Sequence, residues 1–216
     1  MTSTPGSAGP TAAPTPPPSE PSARVRRFTR AERLVHRATA ILMLTCVATA
    51  ACLYLPSLAE LVGRRHLVVT VHIWTGVLLP VPYVLGLASR AFRADLSLLG
   101  RFTSYDRDWL RAARRRQHHH RPAGKFNAGQ KLWAGWIAGA ALVMLGTGLL
   151  MWFTHLAPLT WRTSATFVHD WLALGMGIVI AGHLWMALTH PESRRGMRTG
   201  EVDRAWAEDE HPHWRP

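Results

Sequence analysis

The chain has 216 residues, of which 48% are apolar and only two are cysteine, and 25 Lys and Arg against 13 Asp and Glu give a net charge of +12. The apolar fraction excludes a chain that is disordered throughout, and two cysteines cannot build a disulfide-rich scaffold. A charge of +12 would suit a nucleic-acid-binding protein if it formed one surface, but the basic residues lie between long uncharged segments, so we predict no nucleic-acid partner.

The first 23 residues are dominated by Pro, Ser, Thr, Ala and Gly, and Glu20 is their single acid. This composition cannot build a hydrophobic core, so we predict that residues 1–23 are a disordered Pro-rich tail. The tail has neither the basic start nor the apolar stretch of a secretory signal peptide. We expect residues 24–216 to form one domain.

Four apolar segments follow the tail, and a bilayer is crossed by about 20 mostly apolar residues. The first three are uncharged, whereas the fourth contains Asp170 and two histidines and qualifies only if these polar side chains face the bundle interior. Buried core helices of a soluble protein are the weaker alternative for three such uncharged segments. The pattern predicts an all-α, integral membrane four-helix bundle, with helices over about 34–55, 67–89, 130–154 and 166–190.

The basic residues alternate along the chain in a way that predicts topology. Twenty-two of the 25 Lys and Arg lie before the first segment, between the second and third, and after the fourth. The positive-inside rule then places both termini and the middle connection in the cytoplasm of a bacterial multi-pass inner-membrane protein. Within that connection, Arg114–Arg116 with His118–His120 could attract anionic lipid or an acidic partner, or form an ordinary solvated loop.

Neither cysteine carries chemistry in our interpretation. Cys46 and Cys52 are six residues apart and therefore lie on different faces of the first helix. The sequence has no C-x-x-C-H motif, which argues against covalent attachment of a c-type haem. We interpret both as small packing residues.

Four histidines lie within or at the ends of the apolar segments, and ionisable groups there suggest function. The predicted topology places His36 and His183 in the inner leaflet and His72 and His169 in the outer one. The 14 residues between His169 and His183 leave an angular offset of about 40° and a rise of about 21 Å, so one face of the fourth helix presents both imidazoles.

This arrangement suits two bis-histidine haems stacked across the membrane, with Gly76, Gly175 and Gly182 as small neighbours of a flat macrocycle. Ordinary small-residue helix packing is the alternative for the glycines. A zinc site would need a tighter cluster of ligands, and a proton pathway is the other alternative. Asp170 could bond water or a haem propionate, or simply reach the wet interface. Four tryptophans near segment ends suit an aromatic belt and receive no chemical role: Trp133, Trp152, Trp161 and Trp185.

Three stretches resemble the gamma subunit of membrane-bound formate dehydrogenase, a dihaem cytochrome b of the wider bacterial b561-like class. They are Arg33–Arg37 (RLVHR), Gly124–Leu132 (GKFNAGQKL) and Gly196–Val202 (GMRTGEV), the last followed by Trp206-Ala and His211-Pro-His-Trp. The resemblance covers about residues 24–214. The tail, Glu210 before His211 and Asp170 depart from the family pattern.

The resemblance implies two b haems, with His36 and His183 as ligands of the inner haem and His72 and His169 as ligands of the outer one. It implies menaquinone reduction beside the inner haem at Asn127, Gly129 and Gln130, although Asn127 and Gln130 could also cap the third helix. The implied partners are an iron–sulfur subunit, a catalytic dehydrogenase subunit and membrane lipid.

The sequence therefore predicts the electron-transferring, quinone-reducing membrane subunit of a formate dehydrogenase, without the formate-oxidising site itself. A cytochrome b subunit of a hydrogenase or another respiratory reductase is the first alternative. The second is a non-redox transporter that uses the histidines to bind protons or metal ions.

Overall fold

The computed structural model describes residues 23–117 and 121–215, so most of the predicted tail and His118–His120 lie outside the described residues. The described elements are β1 (Arg24–Arg26), α1 (Arg30–Tyr54), α2 (Pro56–Val62), α3 (Arg65–Leu78), α4 (Val81–Gly86), α5 (Arg90–Gly100), α6 (Ser104–Arg114), α7 (Ala128–Trp152), α8 (Leu159–Thr189), α9 (Pro191–Thr199), β2 (Glu201–Asp203) and α10 (Arg204–Glu210).

Four helical stretches are long and apolar enough to cross a membrane, which confirms the predicted four-helix membrane fold. They are Arg30–Tyr54, Arg65–Gly86, Ala128–Trp152 and Leu159–Thr189, with mean hydropathies between 1.6 and 1.8. Their outer faces expose large apolar side chains such as Ile41, Leu142 and Ile178. In water such faces would be costly, whereas lipid accommodates them.

The second stretch is interrupted, whereas the sequence predicted one helix over 67–89. α3 ends at Leu78 and α4 begins at Val81. Pro80 and Pro82 have no N–H to donate to the preceding turn, and the Leu79 N–H bonds to the Gly76 carbonyl in a tighter turn instead. α8 begins at Leu159, seven residues before the predicted start, because its first turns are polar and escape a hydropathy pattern.

The four spans pack as two pairs, α1 with α3 and α7 with α8, and the pairs contact each other much less. Small or flexible side chains fill the few buried positions of these spans, including Ala140, Ala165 and Met176. The looser seam between the two helix pairs is where the histidines of different helices face each other.

The two ends of the described chain and the connection between the second and third spans pack together at one end of the bundle. We call these residues, 23–29, 90–117, 121–127 and 190–215, the cap. In the cap, β1 pairs antiparallel with β2, and Val25 lies opposite Val202. The all-α prediction did not include this small sheet. The Arg27 and Phe28 N–H groups both donate to the Gly200 carbonyl. Gly200 has φ +95°, and a Cβ there would lie 2.6 Å from the Phe28 carbonyl oxygen, so glycine is required.

The three basic parts of the chain therefore meet at the same end of the bundle. The His211 ring bonds to the Gly124 carbonyl at 2.7 Å, the His213 N–H to the Ala123 carbonyl at 3.0 Å, and the Arg27 guanidinium to the Lys125 carbonyl at 2.8 Å. These contacts join the segments that precede α1, precede α7 and follow α8.

Candidate cofactor site

The structure brings the four predicted histidines together as two pairs across the seam. His36 of α1 faces His183 of α8, with ring centroids 6.1 Å apart, and we call these two the cap-side pair. His72 of α3 faces His169 of α8 at 6.2 Å, and these two form the distal pair. Because α8 contributes one histidine to each pair, it is part of both sites.

These separations are what two imidazoles on opposite sides of one metal ion require. A metal–imidazole nitrogen bond is about 2 Å long, and the ring centroid lies about 1 Å beyond the nitrogen, so the centroids of a trans pair are about 6 Å apart. Across the residues described on either side of the 118–120 gap, no group of three or more His, Cys, Asp or Glu side chains is placed to hold a metal ion. Paired imidazoles suit axial ligation of a haem better than a zinc site, which needs more protein ligands.

Hydrogen bonds fix the tautomer of both distal histidines. The Thr49 hydroxyl lies 2.9 Å from His72 Nδ1 and also 2.7 Å from the Thr45 carbonyl, to which it must donate. The hydroxyl therefore accepts from Nδ1–H, which leaves the Nε2 lone pair for a metal. Thr147 repeats this arrangement with His169, at 2.9 Å from Nδ1 and 2.7 Å from the Val143 carbonyl. Such partners orient metal-binding histidines.

The three glycines predicted as small neighbours of a macrocycle have different surroundings. A Cβ added at Gly76, one turn after His72, would meet no heavy atom within 4 Å, whereas one at Gly175 or Gly182 would lie 4.0 Å from the Trp136 ring or 3.7 Å from the Trp133 ring. Gly148 passes close to His169, since a Cβ there would lie 3.4 Å from the imidazole. Trp133 of α7 packs against His183, with ring centroids 5.9 Å apart at 33°.

The predicted quinone-site residues lie at the start of α7, one turn before Trp133. Asn127 and Gln130 form a reciprocal capping box, in which each side-chain oxygen accepts the other residue's backbone N–H, at 2.9 and 3.0 Å. This use of the oxygens leaves the NH₂ groups as donors. Gly129 admits the Trp109 ring of α6, because a Cβ there would lie 2.9 Å from the ring edge.

Sequence reasoning missed three residues that contact the histidines: Thr49, Thr147 and Trp133. Threonines inside apolar helices look like ordinary residues bonded to the preceding turn, and Trp133 matched an aromatic belt. No signal in the sequence marks Thr49 or Thr147, because their role depends on which helices pack side by side. Both cysteines are free, and Cys46 Sγ lies 3.2 Å from the Thr75 hydroxyl. The Asp170 carboxyl has one buried oxygen without a hydrogen-bond partner in the described chain.

The fold and the histidine pairs thus define a class: a multi-pass membrane helix bundle with imidazoles spaced for axial ligation between its helices. Residues 27–200 match the family model of prokaryotic cytochrome b561, and the chain belongs to that family. Membership implies a b-type haem, and the paired histidines fit one.

Three relatives of this chain are cytochrome b556 subunits of formate dehydrogenases. The chain is 32% identical over 101 residues to the "formate dehydrogenase, nitrate-inducible, cytochrome b556(Fdn) subunit" of Escherichia coli K12, covering 45% of this chain and 46% of the relative, so it spans about half of that relative. It is 25% identical to the formate dehydrogenase cytochrome b556 subunit of Haemophilus influenzae over 88% of this chain and 82% of the relative. The cytochrome b556(fdo) subunit of Escherichia coli K12 is 25% identical over 87% of this chain and 90% of the relative.

Proposed function

We propose that this chain is the dihaem cytochrome b subunit of a formate dehydrogenase, and that it passes electrons from an iron–sulfur subunit to menaquinone. The observation that carries the proposal is that α8 contributes one imidazole to each of two histidine pairs. The ring centroids within the pairs are 6.1 and 6.2 Å apart. The formate dehydrogenase names of relatives that align over most of this chain support the choice of donor complex.

The chain's own residues hold and tune the two sites. His36 with His183, and His72 with His169, are the residues that would hold the two haems, and these would supply one-electron transfer when bound. Thr49 and Thr147 keep the distal imidazoles in the tautomer that presents Nε2. The α8 spacing of about 21 Å sets the two sites at different depths, as a path across a bilayer requires.

In this proposal menaquinone is reduced at the start of α7, near the cap-side pair. The NH₂ groups of Asn127 and Gln130 donate to a quinone carbonyl while their oxygens continue to cap the helix. Trp133, one turn further on, packs on His183 and connects this turn with the cap-side pair. The catalytic dehydrogenase subunit, which oxidises formate, and the iron–sulfur subunit are separate chains.

The proposed orientation places the cap in the cytoplasm of the bacterial inner membrane. The cap collects the three basic parts of the chain, and the positive-inside rule assigns such segments to the cytoplasmic side. Protons for quinol then come from the cytoplasm, whereas electrons enter at the distal pair, so the reaction would separate charge across the membrane.

A dithionite-reduced minus oxidised visible spectrum of the purified protein, with haem counted per chain, tests the site. We expect two b haems. A well-folded protein prepared with haem available that binds none would overturn the assignment and favour proton or metal transport. Co-purifying subunits then identify the donor, since a hydrogenase or another reductase would bring different partners.

Single-histidine variants test the pairing. His72→Ala should lose one haem and retain the cap-side one, because each pair is spatially separate, and pyridine haemochrome analysis counts the loss. His66→Ala, at an exposed position on the same helix, is the matched control. Two haems retained in the His72 variant would contradict the pairing.

The quinone site requires variants that preserve the helix cap. Asn127→Ser keeps an oxygen that caps α7 but removes the amide donor, whereas Asn127→Ala also loses the cap, at about 1 kcal/mol. We expect Asn127→Ser and Gln130→Glu to keep both haems and to slow their reoxidation by a menaquinone analogue. An unchanged reoxidation rate would refute the site.

A further inference from the structure

A three-residue ionic cluster joins the cap to α1. The Lys125 ammonium contacts the Asp95 carboxylate of α5 at 2.5 Å and the Glu32 carboxylate of α1 at 3.3 Å. The side chains of Lys125, Glu32 and Asp95 are only 14%, 6% and 10% exposed. One ammonium therefore contacts two nearly buried carboxyl groups, and the buried Arg27 guanidinium is a further cation that acts on Asp95.

A second buried ion pair joins Asp106 of the cap to Lys131 of α7. The two groups are 2.6 Å apart, and the Thr103 N–H and hydroxyl also donate to the Asp106 carboxylate. Here one ammonium serves one carboxylate, whereas Lys125 is shared between two carboxyl groups.

The charges around Asp95 favour its protonated form near neutral pH. Burial, and then the Glu32 carboxylate beside it, raises the pKa of Asp95 to about 7, and Lys125 only partly offsets this rise. Arg27, which precedes α1, also acts on Asp95 at longer range. α7 also packs on α5, but its Lys131 ammonium is bound by Asp106 and the Arg101 carbonyl.

The cluster adjoins both parts of the proposed quinone site. Lys125 is two residues before Asn127, the N-cap of α7. Glu32 is one helical turn before His36, about 6 Å along the axis of α1. The cluster is therefore next in sequence to the N-cap turn of α7 and one turn from a proposed haem ligand, so its groups are candidates for passing protons from the cap side to a quinone there.

We propose that Glu32, Asp95 and Lys125 form a proton relay that supplies quinol formation from the cap side. The inference rests on the proposed function. The quinone takes two electrons from the haem side and two protons, forming two O–H bonds at its carbonyl oxygens. For each proton delivered, the O–H bond of the Asp95 carboxyl breaks, and cap-side water protonates the carboxylate again.

The test uses the complete complex with its partner subunits. Haems reduced by formate are mixed with a menaquinone analogue, and the rate of their reoxidation is followed from pH 5.5 to 9. In the unaltered complex we expect an inflection near pH 7. Asp95→Asn should slow reoxidation about tenfold or more and abolish the inflection, because an amide cannot release the proton. Asp95→Glu should restore both.

Three controls distinguish a proton relay from an ion cluster that only stabilises the fold. Haem content and the rate of haem reduction by formate should be unchanged in Asp95→Asn, and Asp108→Asn, at an exposed carboxyl, should behave like the unaltered complex. Infrared difference spectra should show a protonated carboxyl band that titrates near pH 7 and is missing in Asp95→Asn. An inflection retained in Asp95→Asn would overturn the relay. Reduced haems that the analogue cannot reoxidise, even in the unaltered complex, would overturn the proposed function and the relay with it.

Discussion

Thr49 and Thr147 occupy equivalent positions next to the two distal histidines, although they belong to α1 and α7. Each hydroxyl donates to a carbonyl four residues back and accepts from an imidazole Nδ1 at 2.9 Å. Because a hydroxyl has a single proton, the direction of the imidazole hydrogen bond follows from the carbonyl bond. Residue chemistry alone thus prepares Nε2 as the ligand atom.

Removing one of these hydroxyls should loosen the distal site without removing a ligand. Thr49→Val preserves shape but removes the hydroxyl that accepts from His72 Nδ1–H. We expect about 10- to 100-fold weaker haem retention at this site and a shifted midpoint potential, measured by redox titration of the purified protein. Thr70→Val, on α3 with its hydroxyl bonded to the His66 carbonyl, is the control. Identical titrations for both variants would contradict the orienting role.

The pairing of the four histidines was predictable from the sequence, but the residues that contact them were not. A histidine inside an apolar segment is costly and stands out, and the 14-residue spacing of His169 and His183 assigns them to one helix face. Thr49 stands out only when the position of α3 beside α1 is known. The ligand roles themselves remain predictions until haem is counted in the variants.

The connection between α6 and α7 depends on a buried ion pair. Lys131 and Asp106 side chains are 4% and 0% exposed, whereas the Arg111–Asp108 pair on α6 is 71% and 56% exposed. Burial opposes ionisation of Asp106, but the Lys131 ammonium and two Thr103 hydrogen bonds outweigh it and lower the pKa of the carboxyl. α7 is thereby attached to the cap two residues before Trp133.

Lys131→Met should destabilise the cap strongly, because it leaves a buried carboxylate without its cation. We expect a loss of about 3–5 kcal/mol, seen as faster hydrogen exchange in α6 and the first turns of α7. Arg111→Met should cost under about 1 kcal/mol, since its pair is solvated. The double variant Lys131→Met, Asp106→Leu should recover much of the loss. Equal effects of the two single variants would contradict this account.

Elements differ in how well their sequence specifies them. Long apolar segments predicted the four spans, because a helix that crosses the lipid needs about 20 mostly apolar residues in a row. The break in the second span was not predicted, because Pro80 and Pro82 lack backbone N–H groups and the sequence does not show which turn replaces the lost helical hydrogen bonds. The β1–β2 sheet has three-residue strands from opposite ends of the chain, so no local pattern could indicate their pairing.

Across the whole molecule, His211 and Asp95 should change the acid stability of the cap in opposite directions. Burial, and then the nearby Arg27 charge, lowers the pKa of His211 to about 4, although its bond to the Gly124 carbonyl opposes this. Between pH 6.5 and 4 the unfolded cap binds a proton at His211 that the folded cap excludes, so this histidine costs up to about 3 kcal/mol as the pH falls. The raised pKa of Asp95 acts the other way, because the folded cap binds that proton first. Hydrogen exchange of residues 200–214, corrected for intrinsic pH dependence, should show that His211→Gln is less destabilised by acid than the unaltered protein, and an identical pH dependence of the two would contradict this role of His211.

The orientation of the molecule can be tested by labelling. In a Cys46→Ala, Cys52→Ala background, Ser57→Cys between the first two spans should react with an impermeant maleimide on intact cells. Gln117→Cys in the cap should react only after the membrane is permeabilised. The reverse pattern would invert the proposed direction of proton uptake.

The pairing of β1 with β2 has a consequence for biosynthesis. His36 and His72 are synthesised well before α8, which supplies the second member of each pair, and β2 follows α8. β1 therefore waits for its partner strand until all four histidines of the two pairs have been made. Because closure over so long a chain separation is slow, the nascent bundle has an interval in which the seam between its helix pairs can open. We expect haem to be inserted during that interval, before β1 pairs with β2.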